Sequence, residues 1–205
     1  MRPRGIAVGV FLSAFLLTYI APAHAQTLHS AGPPIKGFAY SDLLKTWVSR
    51  DLKVSVTVTD DGREWVFFKG ETGLDDALVV VQYTPDVREA LTAALVKALE
   101  WADVARKNKA DTYKGITCVG SDEQRICART GAPFEENQMA LRFYSKIAAG
   151  QVNLVVDMIS RDNQFTKTTI FFEMSEVRRF QKLLYGLREA FAKAHETARK
   201  QELFK

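Results

Sequence analysis

The chain is poor in the residues that do chemistry near neutral pH. Its 205 residues include three histidines and two cysteines. Histidine is the side chain whose unperturbed pKa lies closest to neutrality, so its scarcity removes most proton-transfer schemes. His24 lies in a segment expected to be cut away and His29 in an irregular stretch, which leaves His195 as the one histidine in a periodic segment. Glycine-rich phosphate loops, His-Glu-x-x-His and Gly-x-Ser-x-Gly are all missing. A surplus of one charge is missing too. Lys and Arg number 28 against 24 Asp and Glu, a net charge of +4. Loss of Arg2 and Arg4 with the first segment brings it to about +2, too balanced for an electrostatic nucleic-acid or membrane-surface binder. With 47% hydrophobic and 25% charged residues, the composition excludes disorder over most of the chain.

Long apolar runs are also scarce, and the one present is at the start. Arg2 and Arg4 precede an uncharged stretch from Ile6 to Ile20. It has the length of a signal-peptide core and falls short of the roughly 20 residues that span a bilayer. Ala23 and Ala25 then stand where signal peptidase needs small residues, so residues 1–25 are expected to be a signal peptide cleaved between Ala25 and Gln26. An uncleaved membrane anchor is the alternative. No cysteine follows the junction to carry a lipid, and the remaining chain has no transmembrane segment. The product is expected to be periplasmic or secreted.

In an oxidising compartment Cys118 and Cys127 are expected to form a disulfide. Gly115–Val119 and Arg125–Arg129 flank a four-residue loop, which places residues 118 and 127 opposite each other in a hairpin. Facing residues there have Cα atoms about 4.5 Å apart, within disulfide reach. Such a small ring is worth about 2.5–3 kcal/mol. A redox pair lacks the Cys-x-x-Cys spacing, and a metal site lacks a neighbouring His, so no cofactor or metal is expected.

The remainder reads as an α+β domain over 38–205, after a flexible lead-in at 26–37 that holds Pro33 and Pro34. Ser41 caps an expected short helix from Asp42 to Arg50 with Leu43, Leu44 and Trp47 on one face. Lys53–Thr59 and Arg63–Gly70 make a hairpin around Asp60-Asp61-Gly62, Ala77–Tyr83 is a third strand, and a helix runs from Thr84 to about Lys109. The C-terminal part repeats this plan. Met139–Ala148 and Val152–Ser160 form a hairpin, Thr166–Phe172 a strand, and Ser175 opens a helix to about Gln201. A shift of 89 residues lays one half on the other without a gap. Leu91, Leu95, Ala98, Ala102 and Ala105 fall on Phe180, Leu184, Leu187, Phe191 and Ala194. The expected architecture is therefore two βββα units, 38–110 and 138–205, suggestive of an internal duplication. A disulfide hairpin at 111–137 links them, with both long helices side by side on one sheet face.

Within this frame few residues carry a functional reading. His195 sits near a helix end among polar neighbours and reads as a surface residue. Asp157 follows an apolar run on a strand; the favoured reading turns it to solvent, with burial as the alternative. Asp60-Asp61 and Asp75-Asp76 read as turn residues. Trp65, Phe67 and Phe68 make a strand that is apolar on both faces, and the two helices cover only one. Something else must cover the other: the short N-terminal helix, a partner chain or a ligand. Missing catalytic sets and surplus apolar sheet together point to a non-enzymatic exported protein that binds another protein or its own copy. A carrier of a small apolar ligand or lipid, with its pocket between sheet and helices, is the alternative. A hydrolase working with carboxylates alone is a third.

Overall fold

A computed structural model describes residues 27–73, 76–120 and 136–203. The expected signal segment, its Ala25–Gln26 junction and Cys127 lie outside these described residues. The architecture is α+β: nine antiparallel strands in one sheet curled into a half-barrel, with two long helices. In chain order the strands are β1 (His29–Ser30), β2 (Ile35–Ser41), β3 (Thr46–Val58), β4 (Glu64–Gly70) and β5 (Ala77–Gln82). Helix α1 (Pro85–Asn108) follows, then β6 (Thr112–Val119), β7 (Gln138–Lys146), β8 (Gln151–Ile159), β9 (Lys167–Glu173) and helix α2 (Met174–Glu202).

The sheet order is β5-β4-β3-β2-β9-β8-β7-β6, with β1 beside β3. Each half is thus an up-and-down meander of four strands, not the three expected. The halves join where β2 meets β9 at Phe38 opposite Phe171. The elements recur at the expected offset. Shifted by 89, the bounds of β4, β5 and α1 become 153–159, 166–171 and 174–197, against the observed β8, β9 and α2.

Alternation explains the strands. Leu52, Val54, Val56 and Val58 of β3 point one way, as do Val66 and Phe68 of β4, Leu141 and Phe143 of β7, and Ile170 and Phe172 of β9. This is the concave face, and the helices seal it. Thr84 starts α1, its Oγ1 accepting from the backbone N–H of Val87 at 3.3 Å, with Pro85 in the first turn. Leu91, Leu95, Ala98, Ala102 and Ala105 of α1 and their counterparts Phe180, Leu184, Leu187, Phe191 and Ala194 of α2 are all buried. The helices lie against each other, and each packs chiefly on the opposite half: α1 on β6 and β7, α2 on β3.

Curling brings distant strands together. A Cβ at Gly70 would lie 2.8 Å from Met158 Sδ and 2.9 Å from Thr168 Cγ2, so only glycine allows β4 and β8 to approach across the concave side. At the same corner the free edge of β5 is clasped. Asn137, in a left-handed conformation, accepts from Val80 N–H at 2.6 Å through Oδ1 and donates to Val80 O at 2.8 Å through Nδ2. Arg161 N–H donates to Leu78 O at 2.6 Å. The side-chain amide thereby does what a neighbouring strand would do.

Two expectations are corrected here. The lead-in at 26–37 contains β1 and the start of β2, because Ile35 is fully buried against Leu52 and pins the segment to β3. The helix from Asp42 to Arg50 is replaced by a β-hairpin. Ser41 Oγ does accept from the N–H of Leu44 at 3.2 Å, but Lys45 turns left-handed and Thr46-Trp47-Val48 returns along β2. Thr112–Val119 pairs along β7 as the first strand of the second meander, with Cys118 opposite Ala140, and residues 121–135 of the expected linking hairpin lie outside the described residues.

Candidate functional site

Both helices cover the concave face, which leaves the convex face free of helix among the described residues. Rings collect there. Tyr40 opposes Trp47, Phe38 opposes Phe171 and Tyr113 opposes Tyr144, so each pair shares this face. Their neighbours meet at steep angles. Trp47 lies 5.2 Å from Phe171 at 86°, Tyr144 lies 6.0 Å from Phe171 at 83°, and Tyr113 lies 6.0 Å from Tyr144 at 83°. A cavity of about 270 Å³ opens between these four rings, with Gln151 and Asn153 completing its wall. The Tyr144 hydroxyl donates to Gln151 Oε1 at 3.1 Å.

An ion pair lies beside the rings. Arg142 pairs with Asp157, and Thr169 Oγ1 donates to Asp157 Oδ1 at 2.5 Å. The Arg142 guanidinium rests over the Tyr113 ring, 4.6 Å from its centre. Asp157 is therefore buried and charge-paired, which corrects the solvent-facing reading. Its cover comes from cross-strand neighbours on β7 and β9 that alternation along β8 alone does not reveal. Burial pushes the Tyr113 hydroxyl above its usual pKa, Asp157 adds to that, and Arg142 opposes it.

The β2–β3 turn projects from this face. Leu43 is 91% and Leu44 63% exposed, and Tyr40 and Trp47 beside them are about half exposed. Of the strand aromatics, Phe68 is in the core, whereas Trp65 and Phe67 are half-buried on the convex face. Trp101 packs edge-on against Phe143 under the ammonium groups of Lys97 and Lys114.

A second concavity, of about 790 Å³, runs between the first turns of α1 and the C-terminal half of α2. Tyr83 stacks on Phe191 at 5.3 Å in its wall, and Leu184 and Tyr185 extend the apolar lining. Arg88 and Arg188 stand at its rim. His195 lines it as well and meets Glu64 Oε1 through Nε2 at 3.0 Å. It is half-exposed, so the surface reading holds in part, but the side chain also ties α2 to β4. Burial raises the Tyr83 pKa, Arg88 opposes that and Glu64 adds to it.

The turn reading of Asp61 agrees with its surroundings. The Arg63 guanidinium and then the Thr59 hydroxyl hold its carboxyl far below the usual range. Cys118 is buried at the end of β6, and its expected partner Cys127 is outside the described residues. No group of three or more His, Cys, Asp or Glu suited to a metal ion occurs among the described residues, and no described helix is long and apolar enough to cross a membrane. Sequence reasoning singled out Trp47 but missed Tyr113, Tyr144 and Phe171, whose common position depends on strand pairing. No family model, no curated protein and no solved structure matches the chain.

Proposed function

We propose that this is an exported, non-enzymatic binding protein that grips a protein partner through its convex sheet face, with the β2–β3 turn at the centre of contact. Export rests on the basic, apolar and small-residue order of residues 1–25, and a Cys118–Cys127 disulfide fits that compartment. The observation that carries the contact is the exposure of Leu43 and Leu44 next to Tyr40 and Trp47. Clustered aromatic and aliphatic side chains of this kind, left in water, are the composition of an interface centre. A photo-crosslinker placed at Leu43 in living cells is expected to give one discrete adduct, lost on Leu44→Asp without a change in unfolding midpoint. An adduct of twice the chain mass identifies a second copy as the partner. Absence of any adduct overturns the reading. Amino-terminal sequencing of the same material is expected to begin at Gln26.

The helix groove favours a second reading, carriage of a small apolar ligand. Its volume lies within the roughly 300–1,000 Å³ of small-molecule sites, and its walls include stacked aromatic rings. The site on which that reading rests lies between the helices and not, as expected, between sheet and helices. Native mass spectrometry of the purified chain tests it: a non-covalent mass lost on Leu184→Asp supports carriage, and bare protein counts against it.

A further inference from the structure

We propose that the four-ring cavity of the convex face binds a quaternary ammonium group, the head of choline-like compounds. Trp47, Tyr113, Tyr144 and Phe171 come from β3, β6, β7 and β9, and each neighbouring pair meets within 7° of a right angle. The four rings line one half-open cavity, and a ring face turned towards it presents the negative part of its quadrupole. A cation held there needs no hydrogen-bond acceptor, because the ring quadrupoles supply the attraction. A primary ammonium brings three N–H donors and a guanidinium five, which demand acceptors. Besides the tyrosine hydroxyls, the described residues of the cavity wall offer only the carboxamides of Gln151 and Asn153, and Gln151 Oε1 already accepts from Tyr144. Among the described residues no carboxylate and no lysine lines it. Arg142, which lies against Tyr113, is paired with Asp157, so it does not leave an uncompensated positive charge there. The size agrees: about 270 Å³ admits a compact headgroup and not a whole extended ligand.

The site shares Trp47 with the proposed partner contact at the β2–β3 turn but uses neither Leu43 nor Leu44. Titration of the full-length protein with choline chloride at constant ionic strength, followed by NMR of the N-methyl protons, is expected to give saturable binding at millimolar concentrations. Ring currents are expected to shift that resonance upfield. Tetramethylammonium is expected to bind similarly. Ammonium, and the neutral isostere 3,3-dimethylbutan-1-ol, are expected to bind roughly tenfold more weakly or not at all. Tyr113→Leu and Trp47→Leu, both at half-exposed positions, are expected to weaken choline by a similar factor with unchanged unfolding midpoints. Leu43→Ser is expected to leave choline binding intact, which separates this site from the partner contact. Phosphatidylcholine vesicles distinguish the source. Vesicle binding competed by choline indicates a lipid headgroup, and choline binding without vesicle binding indicates a soluble compound. Choline without saturable binding, or equal binding of the neutral isostere, overturns the proposal.

Discussion

At the scale of single residues the contrast between Asp157 and His195 is instructive. Asp157 is enclosed with Arg142 and Thr169, so loss of the cation leaves a buried charge unpaired. Arg142→Leu is expected to cost about 3–5 kcal/mol, and the double variant with Asp157→Leu to recover most of it, because paired apolar side chains leave no charge behind. Chemical denaturation of the two variants beside the unsubstituted protein checks this. His195 is half-exposed, and its contact with Glu64 has the value of a surface pair. His195→Ala is expected to cost about 0.5 kcal/mol, against about 3–5 kcal/mol for Phe191→Ala one turn earlier, which is 3% exposed and stacked on Tyr83. A reversed ranking in urea midpoints would contradict the packing of α2.

At the scale of elements, the clasp on β5 is the most testable feature. Asn137 replaces a missing strand with one side chain, so Asn137→Ala is expected to cost about 1–3 kcal/mol and to speed hydrogen exchange at the Val80 amide selectively. Uniform acceleration across β3 and β4 would argue against a local clasp. The long helices were legible in the sequence because Leu91, Leu95 and Ala98 in one, and Phe180, Leu184 and Leu187 in the other, keep a helical period. The β2–β3 hairpin was not. Ser41 followed by Leu43, Leu44 and Trp47 imitates a capped amphipathic turn, and the competing partner for Thr46-Trp47-Val48 is β2, whose own sequence follows Pro33 and Pro34. The four-ring cavity was illegible for a related reason. Its walls come from strands up to 124 positions apart in the chain, Trp47 to Phe171, and only the sheet order brings them together.

For the molecule as a whole, the two meanders share one core rather than owning two. Because α1 packs on β6 and β7 while α2 packs chiefly on β3, each half relies on the other's helix to cover its apolar face. Unfolding is expected to be a single transition, with far-ultraviolet circular dichroism and tryptophan fluorescence coincident in urea. Two separated transitions would show that the halves are independent.

The exchange of helices also orders events in time. Val54, Val56 and Phe68 belong to the early part of the chain, yet α2, which covers β3, is the last element to be made. A chain threaded through a membrane amino-terminus first has no way to complete its first half until its last thirty or so residues have followed. On the proposed export route, a chain that needs α2 to cover β3 is expected to stay unfolded, and so threadable, until that helix has emerged on the far side.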